Sequence, residues 1–159
     1  MGIVNDIQGC VSCDLCRNML TAPVKPIWQG KPSIMFIIGS PMTGQADWFQ
    51  DPIPHAANKR RFVSLMSQVT DLDWYITPLV KCIPQNKDRF LVSEIRFCVD
   101  KWIDYEISVV KPKFIFGLGG NVKKYVDVIH EFPTIAKIVE SRTQEKLFKG
   151  SLKAFLDGN

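Results

Sequence analysis

The chain has 159 residues, enough for one domain with its own apolar core. Hydrophobic residues make up 46% and charged residues 23%, a composition typical of a soluble globular protein. The net charge of +4 permits nucleic-acid contact without indicating it, and no apolar run approaches the ~18 residues of a membrane-spanning helix. Because no secretory signal is visible at the N-terminus, we expect a cytoplasmic protein with no membrane partner.

Cysteines are the first notable feature in chain order. The stretch "GCVSCDLC" places Cys10, Cys13 and Cys16 at equal spacing, and Cys82 and Cys98 follow much later. In a reducing compartment, clustered cysteines favour metal or redox chemistry over structural disulfides. Four thiolates suit either tetrahedral zinc or an iron–sulfur cluster. The wide gap between the last two cysteines is unlike the paired spacing of a zinc ribbon.

Three apolar runs predict strands over residues 33–40, 73–80 and 113–120. The runs are apolar throughout rather than alternating, which indicates strands covered on both faces, as in a parallel sheet between helical layers. A proline-rich connector, "TAPVKPIWQGKP", leads from the cysteines to the first run.

The segments between and after these runs predict helices over residues 57–70, 93–110, 121–132 and 134–142. Ser93 is the expected N-cap of the second helix, and Pro112 lies just past its end. The tail has two β-like pieces around Gly150-Ser151, which predicts a hairpin.

Alternating strands and helices predict an α/β fold, a three-layer αβα sandwich with a mainly parallel four-stranded central sheet. We expect one domain over residues 1–159, with the cysteine loop and connector in 1–32 and the α/β core in 33–159. Ligands of such sheets bind at the carboxyl ends of the strands, here "GSPMTGQ", "PLVKCIP" and "GLGGN".

Several motifs, in order along the chain, resemble those of the family 4 (iron–sulfur) uracil-DNA glycosylases. The matching pieces are "CVSCDL", "SIMFIIGS", "WYITPLVKCIPQNKDR", "EIRFCVDKWI" and "KPKFIFGLGGNV". This superfamily also includes an N-terminal region of some phage DNA polymerases. The resemblance implies a uracil-DNA-glycosylase-like fold and a role in DNA repair or replication.

The resemblance also implies a [4Fe–4S] cluster, with zinc as the alternative metal. Its ligands fall on four cysteines: Cys10, Cys13, Cys82 and Cys98. Leu15 sets this register, because the family's leucine lies two residues after its second cysteine. Cys16 is then a spare thiol, although a Cys13/Cys16 pair has the same spacing and stays open as an alternative.

The positions that the family uses for catalysis are degenerate in this chain. Ser40 stands where the resemblance requires the acid that handles the attacking water, and a serine is no general base without help. Ile53 replaces the phenylalanine that stacks on uracil, and Pro78 replaces the asparagine that reads its edge. With "LKAFLD" as the fourth strand, no His-Pro-Ser motif follows to stabilise the uracil anion.

A basic run, Lys59, Arg60 and Arg61, opens the helix that follows the first strand. Since the family lays DNA near the carboxyl ends of the strands, we expect these side chains to contact phosphates weakly and without sequence preference. An ordinary solvated helix face is the alternative.

Three functions are therefore in competition. The first is a catalytically inactive, DNA-binding accessory protein of replication or repair. The second is an active glycosylase with an altered pocket that excises a deaminated or modified base, with Asp47 as the best acid and Asp51, His55 or Asn58 nearby. The third is a redox or sensor protein, for which an exposed cluster is expected.

Overall fold

The structure is a computed structural model, and it describes residues 2–8, 10, 23–39, 51–53, 55–82 and 90–158. The sheet has five strands, in chain order β1 (Ile27–Trp28), β2 (Ile34–Ile38), β3 (Trp74–Pro78), β4 (Phe114–Leu118) and β5 (His130–Phe132). The main helices are α1 (Gly2–Gln8), α2 (Ala56–Val69), α3 (Val92–Cys98), α4 (Asp104–Val110), α5 (Ile135–Ile138) and α6 (Arg142–Asp157).

The strands lie side by side in the order β1-β3-β2-β4-β5. The last four of these are parallel to one another, and the two-residue β1 adds an antiparallel edge to β3. The mainly parallel sheet and its four parallel strands are therefore confirmed, and the extra strand comes from the proline-rich connector. Its short length leaves little exposed edge.

Two apolar cores lie on opposite faces of the sheet. The main core packs α2, α5 and α6 against one face, where a set of aromatic rings is in contact: Phe36, Phe62, Phe116, Phe132 and Phe148. The second core packs α3 and α4 against the other face, with Met35, Ile37 and Tyr75 from the strands. This arrangement confirms the three-layer αβα sandwich.

The helix predicted over residues 93–110 forms with an interruption. α3 and α4 are joined by a π-helical segment, Val99–Ile103, so that one continuous rod runs over 92–110. Ser93 is not the N-cap, because the helix already begins at Val92. Instead, Glu94 Oε2 accepts a hydrogen bond from the backbone N–H of Leu91 at 2.7 Å.

Three predictions for the last forty residues were wrong. The segment 121–132 is a short 3₁₀ turn, Val122–Lys124, followed by β5, because Asn121 adopts a left-handed conformation and the chain then extends along β4. The helix expected over 134–142 ends at Ile138, since Ser141 caps the next helix. The expected hairpin at Gly150-Ser151 is instead the middle of α6.

The four parallel strands end at the same level. The register pairs Ile38 with both Pro78 and Leu118, and it pairs Leu118 with Phe132. We call this level of the sheet the carboxyl edge. Just beyond it the backbones of Gly39 and Gly120 touch, so that a Cβ built on Gly120 would lie 2.5 Å from Gly39 Cα. The loops after β2 and β4 therefore require glycine where they meet.

Candidate functional site

Three of the expected cluster ligands lie in one small apolar cluster. Cys10 follows α1, Cys82 follows the end of β3, and Cys98 is the last residue of α3; all three are buried. The cluster, called here the cysteine core, contains Ile3, Ile7, Cys10, Val80, Cys82, Cys98 and Trp102. Three segments distant in sequence thus bring thiols to the same place. Cys13 and Cys16 lie outside the described residues.

Trp102 makes a direct contact with one of these thiols. Its indole Nε1–H donates to Cys10 Sγ at 3.2 Å, across 92 residues of sequence. Hydrogen bonds to ligand sulfur are one of the means by which a protein tunes an iron–sulfur cluster. Because Trp102 is only 7% exposed, its large ring also shields the cysteine core from water.

Three buried thiols are the donors that this part of the chain could offer to a metal group. Among the described residues, no three His, Cys, Asp or Glu side chains are grouped closely enough to hold one metal ion. In a four-iron cluster each thiolate binds a different iron, so its ligands stand farther apart than those of zinc. Buried thiols from separate elements, with a sulfur-directed N–H, suit this kind of group.

A fully buried polar network lies between β3 and α4, and it includes the residue that precedes Cys82 in the chain. Glu106 Oε1 accepts hydrogen bonds from the Tyr75 hydroxyl at 2.6 Å and from the Thr77 hydroxyl at 2.7 Å, and Glu106 Oε2 forms an ion pair with Lys81 Nζ at 2.6 Å. Burial, and secondarily the Glu106 carboxylate, raise the pKa of Tyr75 far above its ordinary value. The Tyr75 hydroxyl therefore stays a donor across the physiological range.

The carboxyl edge offers no polar side chain at Pro78. The residue ends β3 and is buried, and its only polar group on this edge, the backbone carbonyl, accepts from Lys81 Nζ at 2.8 Å. Ile53 is 2% exposed and belongs to the main core, with an aliphatic side chain in place of an aromatic ring. Ser40 and Asp47 lie outside the described residues.

The fourth parallel strand is β5, which corrects the expectation that "LKAFLD" fills this place. That tail segment belongs to α6, because Phe148, Leu152 and Phe155 share one helical face toward the main core. Phe132 is the last residue of β5 and is followed by Pro133 and Thr134, so no histidine stands at the carboxyl end of the fourth parallel strand. Phe132 is buried and carries no donor for an anion.

His130 does not replace the missing histidine. It lies at the start of β5, two residues before the carboxyl edge, and its ring packs on Phe132 and Phe155 with centroid distances of 4.7 and 5.1 Å. Phe155 belongs to the last turn of α6, at the far end of that helix from Arg142. His130 therefore packs against two aromatic rings of the main core.

The basic run is partly neutralised by carboxylates. Lys59 forms an ion pair with Asp51, and Arg61 forms one with Glu145 of α6 at 2.7 Å. Arg60 is exposed and has no ion-pair partner within the described part of the chain. Asp51 also accepts from the backbone N–H of Ile53 at 3.0 Å, so this candidate acid is held in local structure.

Sequence reasoning missed Arg142, the first residue of α6. The ion pair between Arg61 and Glu145 joins the second turn of α2 to the first turn of α6, and a groove of about 370 Å³ runs between the two helices from Arg60 to Gln68. We call it the arginine groove; its lining includes Arg60, Arg61, Ser64, Gln68, Arg142 and Glu145. The signal for Arg142 is Ser141 before it, a helix cap whose Oγ accepts from Gln144 N. Because a helix was expected over 134–142, Ser141 was not recognised as the cap of the next helix.

Glu106 was missed as well. Its signal is a four-residue spacing along the helical rod, where Cys98, Trp102 and Glu106 recur at positions that share one face.

Among the described residues, no helix is both long enough and apolar enough to span a bilayer.

Comparison with known proteins finds similarity to one family and to curated proteins. A sequence model of the uracil DNA glycosylase superfamily matches residues 28–154. A type-4 uracil-DNA glycosylase from Archaeoglobus fulgidus is 28% identical over 139 residues, which cover 86% of this chain and 68% of that protein. The family match extends into α6, consistent with β5 as the fourth parallel strand.

Proposed function

The chain belongs to the uracil-DNA glycosylase superfamily, and we propose that it is an iron–sulfur member that binds DNA without excising uracil. Its role would be that of an accessory protein in DNA replication or repair. We place it in the cytoplasm, where thiols stay reduced and available to a cluster. The observation that carries the proposal is the contrast between a cysteine core with buried thiols and a carboxyl edge with apolar side chains at the family's reactive positions.

The cysteine core supports a [4Fe–4S] cluster held by Cys10, Cys82 and Cys98, with Cys13 as the fourth ligand. When bound, the cluster would supply covalent cross-links between α1, the end of β3 and the end of α3. The chain's own residues keep water away from it, because the surrounding side chains are Ile3, Ile7, Val80 and Trp102. The proposed role of the group is thus structural.

Base excision needs a flipped base that is held by stacking and by hydrogen bonds to its edge. Ile53 offers no ring, Pro78 offers no donor or acceptor on its side chain, and Phe132 offers no donor to a developing anion. In the sequence, Ser40 also replaces the acid. Four changes that each remove a different part of one reaction argue against a variant mechanism, because no remaining part could work without the others.

The arginine groove is the DNA-binding surface in this proposal. It presents three guanidinium groups and one carboxylate, so it attracts anions, and α6 points its first turn into the same region. Arg60 and Arg142 are exposed and have no ion-pair partner among the described residues. In the chain, α2 is the first helix after β2, and α6 follows β5 and the short α5, so both helices come after strands that end at the carboxyl edge, where DNA is expected. These features suit phosphates of a DNA backbone rather than particular bases.

Binding of labelled single-stranded DNA, measured by fluorescence anisotropy, tests this function. We expect equal affinity for strands with uracil or thymine, because no base-reading group remains. Affinity should fall on the order of tenfold between about 50 and 200 mM salt, as for a few phosphate contacts. The Arg60→Glu/Arg142→Glu variant should bind more weakly and with a shallower salt dependence. Arg61 is left intact because its ion pair joins the two helices.

Lys111→Glu/Lys153→Glu is the matched control. It makes the same change in charge at two exposed lysines, one at the amino-terminal side of β4 and one in the last turns of α6. If both double variants lost the same affinity for DNA, the loss would result from the change in net charge and not from the arginine groove. An absence of DNA binding at low salt would contradict the proposed function and favour a protein partner for this surface.

A further inference from the structure

Lys81 and Glu106 form an ion pair with no exposure to solvent. Lys81 Nζ donates to three acceptors, which are Thr77 Oγ1, the Pro78 carbonyl at 2.8 Å and Glu106 Oε2. An ammonium has three N–H donors, so its hydrogen-bonding capacity is used completely. A pair with this many fixed partners has one geometry available to it.

The main chain of Lys81 is fixed too. Its carbonyl accepts from Val24 N at 2.7 Å, in the connector that leads to β1. The bond from Lys81 Nζ to the Pro78 carbonyl closes the turn that leaves β3, and Cys82 is the next residue. The position of the Cys82 backbone therefore depends on where Glu106 holds Lys81.

One face of the helical rod over 92–110 reaches all three described cysteines. Cys98 contributes its own thiol, Trp102 donates to Cys10 Sγ at 3.2 Å, and Glu106 holds Lys81 beside Cys82. The π-helical segment Val99–Ile103 lies between the first and third of these residues, and such segments are often found at functional sites.

We propose that Glu106 is a positioning residue for the cluster: through Lys81, it sets the place of the Cys82 thiolate. The inference deepens the proposed function and depends on it, since it requires that the cluster be present. Apolar replacement of a buried ion pair is often neutral or stabilising, so stability alone gives no reason for this pair. Partners that orient metal ligands typically change metal affinity by 10–100-fold when they are lost.

The test compares variants of the anaerobically prepared, cluster-loaded protein. Glu106→Gln keeps the shape of the side chain and removes its charge. We expect it to release iron to a chelator about tenfold faster than the wild type. The Fe–S(Cys) stretching bands in its resonance Raman spectrum should shift as well, because the Cys82 thiolate is displaced.

Two further variants separate positioning from stability. Leu152→Ala creates a cavity in the main core, on the opposite face of the sheet from the cysteines, so it should lower global stability and leave iron release and the spectrum unchanged. Lys81→Met/Glu106→Leu removes both charges but leaves the Tyr75 and Thr77 hydroxyls without their acceptor, so it should lower global stability and also speed iron release beyond what Leu152→Ala shows for the same loss of stability.

The possible results distinguish failure of the positioning role from failure of the proposed function. Wild-type release and spectrum in both Glu106→Gln and the double variant would overturn the positioning role and leave the proposed function intact. The positioning role would also be overturned if iron release in these variants changed no more than Leu152→Ala shows for the same loss of global stability. A wild-type protein that takes up no iron or sulfide would overturn the proposed function itself, and the positioning role with it.

Discussion

Tyr75 shows how a single buried hydroxyl ties stability to pH. Its proton is held by burial and by Glu106, which raise its pKa above the ordinary 10.0. Above pH 10 the unfolded chain therefore loses a proton that the folded chain keeps. For this one group, the free energy of unfolding should fall by about 1.4 kcal/mol per pH unit in that range.

The variant Tyr75→Phe removes this proton and the hydrogen bond to Glu106. At pH 7 we expect it to lose about 1.5–3 kcal/mol of stability, the usual contribution of a hydrogen bond to a charged group. Above pH 10 its stability should fall less steeply than that of the wild type. Urea unfolding at pH 7, 10 and 11 measures both slopes, and parallel slopes would contradict the role given to Tyr75.

Single residues differ in how far the sequence alone reveals them. Ser40, Ile53 and Pro78 stand in or near the stretches that carry the resemblance to the family, so the sequence alone was enough to propose them as replacements of its reactive groups. Phe132 could not be identified in this way. Its position at the end of the fourth parallel strand became clear from the pairing of β5 with β4.

At the scale of elements, the sequence predicted the strands and helices that have a strong apolar period. The three buried strands and the helix α2 lie within one or two residues of their expected bounds. β5 was missed because it is three residues long and half of its surface faces solvent, so its apolar pattern is too short to read. β5 is recognised as a strand by its pairing with β4.

The tail was misread because Gly150-Ser151 was taken as a turn. Gly150 is exposed in the middle of α6, and a Cβ built on it would meet nothing within 4 Å. A helix-interior glycine weakens a helix by roughly 0.5–1 kcal/mol relative to alanine. The apolar residues that face the main core, Phe148, Leu152 and Phe155, outweigh this effect and form the helix.

Gly150→Ala should therefore stabilise the protein by about 0.5–1 kcal/mol, as measured by chemical denaturation. Gly120→Ala is the matched control. Gly120 has a φ of +73°, and its added Cβ would lie 2.5 Å from Gly39 Cα, so the same change should destabilise the protein. A loss of stability in Gly150→Ala would indicate that the tail is not helical there.

At the scale of the whole molecule, the cysteine core and the carboxyl edge differ in the chemistry of their side chains. The cysteine core gathers thiols from α1, the end of β3 and the end of α3. In the sequence, the resemblance to the family implied that Cys10, Cys82 and Cys98 act together. The carboxyl edge keeps the strand ends and glycine contacts of an α/β sheet, but its described side chains Ile38, Pro78, Leu118 and Phe132 are apolar.

The arginine groove could not be anticipated at this scale. Arg61 and Glu145 are 84 residues apart, and nothing local in either segment indicates that α2 packs beside the first turn of α6. The sequence identified Lys59, Arg60 and Arg61 as one basic run. The structure divides them, because two are paired with carboxylates while Arg60 faces the groove with Arg142.

Release of uracil by cluster-loaded protein is the most direct test of the proposed function. Protein of measured iron and sulfide content is incubated with an equimolar amount of single-stranded DNA that contains one uracil, and abasic sites are revealed by alkali. An active uracil-DNA glycosylase serves as the positive control. We predict that the strand stays intact while anisotropy shows that it is bound. Strand cleavage by the wild type that disappears in Asp47→Asn would contradict the proposal and identify an active enzyme with an altered pocket.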